Sequence, residues 1–506
     1  MRGYLNGEPV EIKQPDGEPA ATALKILGWP RVAGGLSLGA RECAHDNFYS
    51  GLIREMAVFD RALGSQEIAS LHARYKDGQP LYLPAEDLKI LGVQSQRSYY
   101  KPSESAEVEL TIKNFSTNEQ TATLALGCVG RLSDWQEASR QTIKLKGFES
   151  QNFKVAVPLK GQSFGCTLEA RLLRNDSVTD RGQAFIGVAE NLWTVGIGGK
   201  LQGDFIGRAT DTARDALLKN ARAGYANWLE VFYWAPDEWG NLTPTADQWY
   251  SGQASYLMSP GKLKDFIKGA HDLGIKMVTY GKHVACGPDG AELARKKPEW
   301  FYPFYARVQQ LDEWNDPAAR ARKDAQFDWQ SFSLDLNRPD TLDYGIKQII
   351  DSATLFGWDG IRYDGHYTVP SDAVSTWNMR RLKESVWAAH PDYLLGFNYS
   401  WAPDTWPMIT QEMKEAMAGG GMWMQEAIGQ HYGFSTDGRT YSNWTQGNSS
   451  VPAFAPNELK AAKDVAAMGG SYHCILALEN SPPPARVYKL VYSLIAGAHS
   501  VYGSHE

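Results

Sequence analysis

The strongest constraint in this chain is a change of grammar near residue 191. From there onward, eight short apolar stretches alternate with amphipathic ones. The apolar stretches are 193–198, 227–234, 275–281, 358–364, 394–399, 422–427, 471–477 and 499–503. Each has the length of a buried strand, and the segments between them carry helix start and stop signals. Ser259 can cap a helix with Pro260 at its first position. Leu263, Phe266, Ile267, Ala270 and Leu273 then form an apolar stripe that Gly274 ends. The plan repeats with Pro339, the stripe Leu342, Ile346, Ile349, Ile350 and Ala353, and Gly357 as the stop. It recurs once more between Pro484 and Gly497, with Val487, Leu490, Val491 and Leu494 apolar. Eight strands alternating with helices predict a (β/α)8 barrel. A doubly wound open sheet is the alternative, but no glycine-rich phosphate loop follows the first strand. The eighth strand ends the sequence, so the expectation is a barrel truncated after strand eight.

The 506 residues exceed one ordinary domain, and two β-rich units are expected ahead of the barrel. Residues 1–83 read as strands and turns. Asn6-Gly7 between Tyr4-Leu5 and Glu8-Pro9-Val10 is a hairpin signal. A strand over 49–59 and a short helix over 65–71 follow. Residues 86–190 alternate with period two at 88–93, 106–112 and 153–157, broken by the turn-rich stretches 114–118 and 161–163. Strands at that spacing predict an immunoglobulin-like sandwich. Nothing in that unit reads as reactive, so a spacer or docking role is expected.

Charge and cysteine usage exclude several classes. Lys and Arg total 51 against 58 Asp and Glu, a net charge of −7. That excess is spread along the chain, and no basic block offers a phosphate footprint, which argues against nucleic acid. No apolar run approaches the roughly 18–20 residues of a membrane span. The five cysteines are far apart and form no CxxC pair, which argues against zinc and against a disulfide scaffold. Cys128 and Cys166 share the second unit; one bridge is an option, and free buried thiols are the preferred reading. The first residues, Met1 to Gly7, lack the apolar stretch of a signal peptide, and the chain is expected to begin inside its first domain.

In such a barrel, reactive groups sit at the C-terminal ends of strands. Asp359 falls at the start of the fourth strand and reads as structural. Period-two alternation puts Gly360, Arg362 and Asp364 on one side, with Asp364 at the end. An Arg and an Asp facing a barrel interior must serve each other or a ligand. Glu426 ends the sixth strand on the same side as Met422 and Met424. Strands four and six are both even, so Asp364 and Glu426 are expected to share one layer at the mouth. Two carboxylates so placed suit glycoside hydrolysis, one as nucleophile and one as acid/base. Glu230 lies on the same side of strand two as Phe232 and Trp234, which predicts a buried Glu230–Arg362 contact beneath that pair.

The other candidates fit sugar better than phosphate. Fifteen of the seventeen Trp residues follow position 190. Trp234, Trp239, Trp401 and Trp406 lie at or just after strand ends, where an aromatic face can stack on a pyranose. Trp234 and Trp401 are the preferred platforms. His283, His366 and Asn398 can hydrogen-bond sugar hydroxyls, and Arg362 is a further substrate-binding candidate that would hold Asp364 ionised. No metal is expected, because the His residues lack ligand spacing and no HExxH occurs.

The stretch Gly360-Ile361-Arg362-Tyr363-Asp364 resembles the fourth-strand motif of retaining α-glycosidases of the amylase-like and related barrels, where the Asp is the nucleophile. Leu334-Asp335-Leu336-Asn337-Arg338-Pro339-Asp340, leading into a helix and then that strand, is also similar to those enzymes. The amylase pattern places its acid Glu after strand five and a His-Asp after strand seven. Here those strands end in Phe397-Asn398-Tyr399-Ser400 and Ala477-Leu478-Glu479-Asn480. An acid on strand six is instead similar to the family 66 dextranases, or to the family 31, 27 and 36 α-glycosidases, which use Asp there. An immunoglobulin-like domain ahead of the barrel also suits family 66. Residues 49–71 resemble the end of a laminin-G-like, concanavalin-type jelly roll, so 1–83 is expected to be the C-terminal part of one. These resemblances imply a retaining glycoside hydrolase acting on an α-linked oligo- or polysaccharide, extracellular or periplasmic in its full-length form. They imply no cofactor, with a structural Ca²⁺ in the jelly roll as an option. An inverting hydrolase and a non-catalytic carbohydrate-binding or scaffold barrel are the alternatives.

Overall fold

The computed structural model describes residues 3–5, 8–10, 64–76, 88–130, 134–235, 242–250, 257–282, 293, 296–301, 334–364, 379–398, 411–425, 433–434, 441–442, 460, 462–476 and 499–503. Eight parallel strands close into a barrel. In order they are Gly198–Gln202, Trp228–Phe232, Lys276–Lys282, Gly360–Asp364, Leu394–Asn398, Met422–Gln425, Ser471–Leu476 and His499–Gly503, hereafter barrel strands one to eight. Helices Asp211–Ala223, Pro260–Asp272, Pro339–Phe356, Met379–Ala389 and Gln411–Met417 lie between them in sequence. The stop signals act as expected. Gly274 and Gly357 follow their helices with φ of 71° and 87°, a backbone that favours glycine.

The strand register sets what faces what inside. From Glu230 it runs to Val278, Gly360 and Leu394 and, carried on round the barrel, comes back to strand two at position 222, eight residues lower. Each strand crossed therefore raises a level plane by one residue. Interior positions then fall into layers drawn alternately from even and odd strands. Trp228, Gly360 and Met422 belong to the lowest even layer, and Gly198, Val278, Gly396 and His473 form the odd layer above it. Glu230, Arg362 and Met424 come next, then Lys200, Tyr280 and Asn398. Phe232 and Asp364 stand in the uppermost layer. Small residues beside large ones let the lower layers fill. A Cβ on Gly198 would lie 2.1 Å from the Trp228 ring. Trp193 closes the N-terminal end, fully buried and edge-on to Trp228 with ring centroids 5.1 Å apart.

Strand one departs from the sequence expectation of 193–198. Leu192–Val195 is a 3-10 turn, in which the Asn191 side chain accepts from the Trp193 N–H at 2.9 Å. The apolar run Leu192-Trp193 packs as a plug, and the true strand is the glycine-led stretch after it. Its Gly198 answers to Trp228, so its sequence lacks a strand's apolar signature.

Ahead of the barrel, residues 88–188 form two antiparallel-rich sheets around one apolar core. Strands Leu88–Ser95, Ser105–Asn114 and Ser150–Pro158 make a three-stranded sheet. Tyr99–Tyr100, Gln120–Gly130, Trp135–Leu145, Phe164–Arg174 and Ser177–Val188 make a five-stranded one. The alternating burial of 105–114 is what a strand with one face on the core requires. Cys128 and Cys166 are buried, free thiols in this core. The sandwich joins the base of the barrel through Arg222, whose guanidinium donates to Ser98 Oγ at 2.6 Å and to the Ser95 carbonyl. Further toward the amino terminus, Gly3–Leu5 and Glu8–Val10 pair as antiparallel strands, and Ser65–Lys76 is helical. The expected strand over 49–59 and the helix between Pro484 and Gly497 lie outside the described residues. Among the described residues no helix is long and apolar enough to cross a membrane.

Asp359 is a clamp on the N-terminal rim of the barrel. Its carboxylate accepts from His271 Nε2 at 2.6 Å, Lys276 Nζ at 2.7 Å and the Met277 N–H at 2.8 Å. Burial pushes this carboxyl up, but the His271 hydrogen bond and the charges of Lys276 and His271 together hold it below its ordinary 3.8. A carboxyl depressed in the fold contributes stability above its unfolded pKa and loses it as pH falls through the folded one. Asp359→Asn should therefore cost about 2 kcal/mol at pH 7. The deficit should shrink below pH 3.8 as the parent protonates and loses the same bonds. Denaturant unfolding at pH 7 and at pH 3 checks this; an equal deficit at both would contradict the assignment.

Candidate active site

The Glu230–Arg362 contact expected from strand parity is present. Arg362 Nε donates to Glu230 Oε1 at 2.5 Å, and both side chains are 0% exposed. The level planes explain the match, since strand two at 230 and strand four at 362 share one layer. The guanidinium carbon lies 4.6 Å from the Tyr280 ring centroid and 5.0 Å from that of Phe232. Lys200 Nζ sits 4.5 Å from the Phe232 centroid. Desolvating such a pair is costly, and its attraction must be matched by good geometry and further bonds. The aromatic faces supply part of that match.

Complete burial changes the role of Arg362. The expectation that it contacts substrate is not met, because Glu230 and two rings enclose its guanidinium. It supports the floor of the mouth instead. Above it, strand three ends at Lys282 and strand four at Asp364, which are register partners. Strand five ends at Asn398, fully buried and one layer below Asp364. Asn398 is in turn the register partner of Met424 on strand six. The backbone thus brings Asp364 and Asn398 to neighbouring strand ends. Glu426, His283, His366 and Trp401 lie outside the described residues, as do Trp239 and Trp406.

Trp234 is not placed as a sugar platform. It is 1% exposed, donates from Nε1 to Thr279 Oγ1 at 2.8 Å, and accepts on its carbonyl from Trp249 Nε1 at 2.7 Å. Its ring lies 5.2 Å from those of Phe356 and Trp358, between the strands and the helices. The cause is local. Tyr233 has φ of 48°, so the alternation that would have turned Trp234 inward is broken one residue earlier. Lys200 and Tyr233 were missed by the sequence reading. Lys200 lies in the glycine-led strand, and a positive φ at Tyr233 leaves no mark in residue type. Among the described residues no three His, Cys, Asp or Glu side chains are grouped to hold a metal.

No family model matches this chain, and neither does any curated protein. Solved structures do match. A cycloisomaltooligosaccharide glucanotransferase from Paenibacillus sp., complexed with cycloisomaltoheptaose, aligns with a TM-score of 0.52 at 16% identity, over 77% of this chain and 53% of that one. The chain thus spans about half the length of that enzyme. A noncanonic maltogenic α-amylase from Thermotoga neapolitana aligns at 0.39 and 13%, over 62% and 68% of the two chains. An α-amylase from Geobacillus thermoleovorans complexed with acarbose aligns at 0.40 and 14%, over 62% and 71%. At such identity the first likeness is one of fold: a multidomain architecture containing a barrel. The two amylases overlap too loosely to add to it.

The buried pair has a testable energetic signature. Arg362→Met removes the guanidinium from the buried Glu230 carboxylate and should cost about 3–5 kcal/mol in denaturant unfolding. Replacing both, as Glu230→Leu with Arg362→Met, should recover most of that loss. Equal losses in the single and double variants would show that Arg362 matters by shape alone.

Proposed function

We propose that the barrel is a glycoside hydrolase, or a transglycosylase, acting on α-linked glycans with retention of configuration. One observation carries the reading. Asp364 ends strand four two residues beyond Arg362 of the buried pair, and in the sequence Glu426 directly follows Gln425, the last described residue of strand six. A carboxylate from each of these two strand ends would suit the two-carboxylate mechanism. The shared fold with a glucanotransferase supports the same substrate class.

In this reading Asp364 attacks the anomeric carbon while the glycosidic C–O bond breaks. Glu426 gives its proton to the departing oxygen. The glycosyl ester on Asp364 is then opened by water, or by an acceptor sugar hydroxyl, which loses its proton to Glu426. Arg362 acts indirectly, by fixing the layer on which Asp364 stands. Lys282 is the register partner of Asp364 at the same rim. The order of carboxylates, on strands four and six, favours a family 66-like enzyme over the amylase order. The β units ahead of the barrel would orient or tether an enzyme working on external polymer, in an extracellular or periplasmic setting.

The roles separate by experiment. A nucleophile is needed for every substrate, while an acid matters only where the leaving group is poor. Glu426→Ala should keep much of its glycosylation rate on an activated aryl α-glycoside and lose it on the natural linkage. Asp364→Ala should lose both. With added azide, Glu426→Ala should yield a glycosyl azide of retained configuration and Asp364→Ala the inverted one. Opposite anomers from the two variants would exchange the roles. Full activity of Asp364→Ala would remove the strand-four nucleophile.

A further inference from the structure

Barrel strand two runs directly into a residue whose backbone a side chain adopts only at a cost. Tyr233 has φ of 48°, in the left-handed region that bulky residues avoid. Such strain persists where the surroundings enforce it, and it clusters at ligand sites. Its consequence is visible in the packing. Extended alternation would send Tyr233 toward the helices. Instead its ring centroid lies 5.4 Å from Phe232 and 5.9 Å from Tyr280, both interior residues. Trp234 goes to the helix side in its place.

The three rings differ in what they can still do. Phe232 and Tyr280 are 8% and 6% exposed, with Lys200 and Arg362 over the former and Arg362 over the latter. Tyr233 is half-buried and continues the cluster outward past the end of strand two. Phe232 shares the uppermost layer with Asp364, so the strained turn sets a partly open phenol ring at the rim of the same mouth. A pyranose presents C–H groups on one face, and such a face stacks on an aromatic ring while its hydroxyls remain free for hydrogen bonds. We infer that Tyr233 is the stacking platform of a sugar-binding subsite at the end of strand two. The inference rests on the glycan reading above and names a contact within it.

Binding, measured where turnover is stopped, tests the contact separately from that reading. In a Glu426→Gln background, maltoheptaose, isomaltoheptaose and stachyose are titrated calorimetrically. Tyr233→Phe should bind within about twofold of the parent, since the ring is kept. Tyr233→Gly should bind about fivefold to tenfold more weakly, while its melting temperature holds or rises as the strain is relieved. Tyr233→Asn, which also tolerates this backbone, should weaken binding equally and serves if the glycine variant does not fold. In the active enzyme the same changes should raise KM more than they lower kcat. A parent that binds while the Gly and Asn variants bind equally well overturns the Tyr233 inference and leaves the glycan reading standing. A parent that binds none of the three saccharides overturns both.

Discussion

The Glu230–Arg362 pair is the interaction on which the barrel's upper half depends. Two charges at 0% exposure sit at mid-height in a closed eight-stranded barrel, where an unpaired charge is not tolerated. Their contact requires strands two and four to keep one register, because a one-residue slip of either strand would turn its charge toward the helices. The pair therefore selects a register, and the register places Asp364 one interior step above Arg362. Below, Trp193 and Trp228 pack with His473, whose Nε2 donates to the Trp193 carbonyl at 3.0 Å. Asp359 ties the start of strand four to strand three. The lower barrel is a filled core, and the buried side chains of Tyr280, Asn398 and Phe232 continue it above the pair.

Much of this was legible in residue order, and the failures have physical causes. Ser259 with Gly274, and Pro339 with Gly357, bounded helices correctly because caps and stops are local devices. Period-two burial exposed the Glu230–Arg362 contact and the three strands that form one sandwich sheet. Strand one was misplaced because Leu192-Trp193 is apolar for a tertiary reason, plugging the barrel base, while Gly198 and Gly199 carry no strand signal. Trp234 was assigned inward because alternation was assumed to run unbroken through Tyr233. Arg362 was read as a substrate contact because parity shows which way a residue faces and not how deep it lies. Of the site candidates, Asp364 and Asn398 reach strand ends, while Glu426, His283, His366 and Trp401 lie outside the described residues.

A filled lower barrel with charged and aromatic residues toward its mouth is compatible with many chemistries, since fold alone does not choose among them. Two features narrow the choice here. The uppermost layer joins an aromatic residue, Phe232, to a carboxylate-bearing position, Asp364. The second lies in the sequence, where Glu426 directly follows Gln425, the last described residue of strand six. A sugar ring needs that combination: an apolar surface to lie against, and two carboxylates on opposite sides of one bond.

The most direct test of this account is to identify the residue that carries the glycosyl group. The protein is treated with a 2-deoxy-2-fluoro-α-glycosyl fluoride or 5-fluoroglycosyl fluoride matched to an active aryl glycoside, then digested and analysed by mass spectrometry. The account predicts one labelled peptide, with the sugar esterified to Asp364 and label retained in Glu230→Gln if that variant stays folded. A label on another carboxylate, or an active enzyme that hydrolyses with inversion and never accumulates a label, would contradict it.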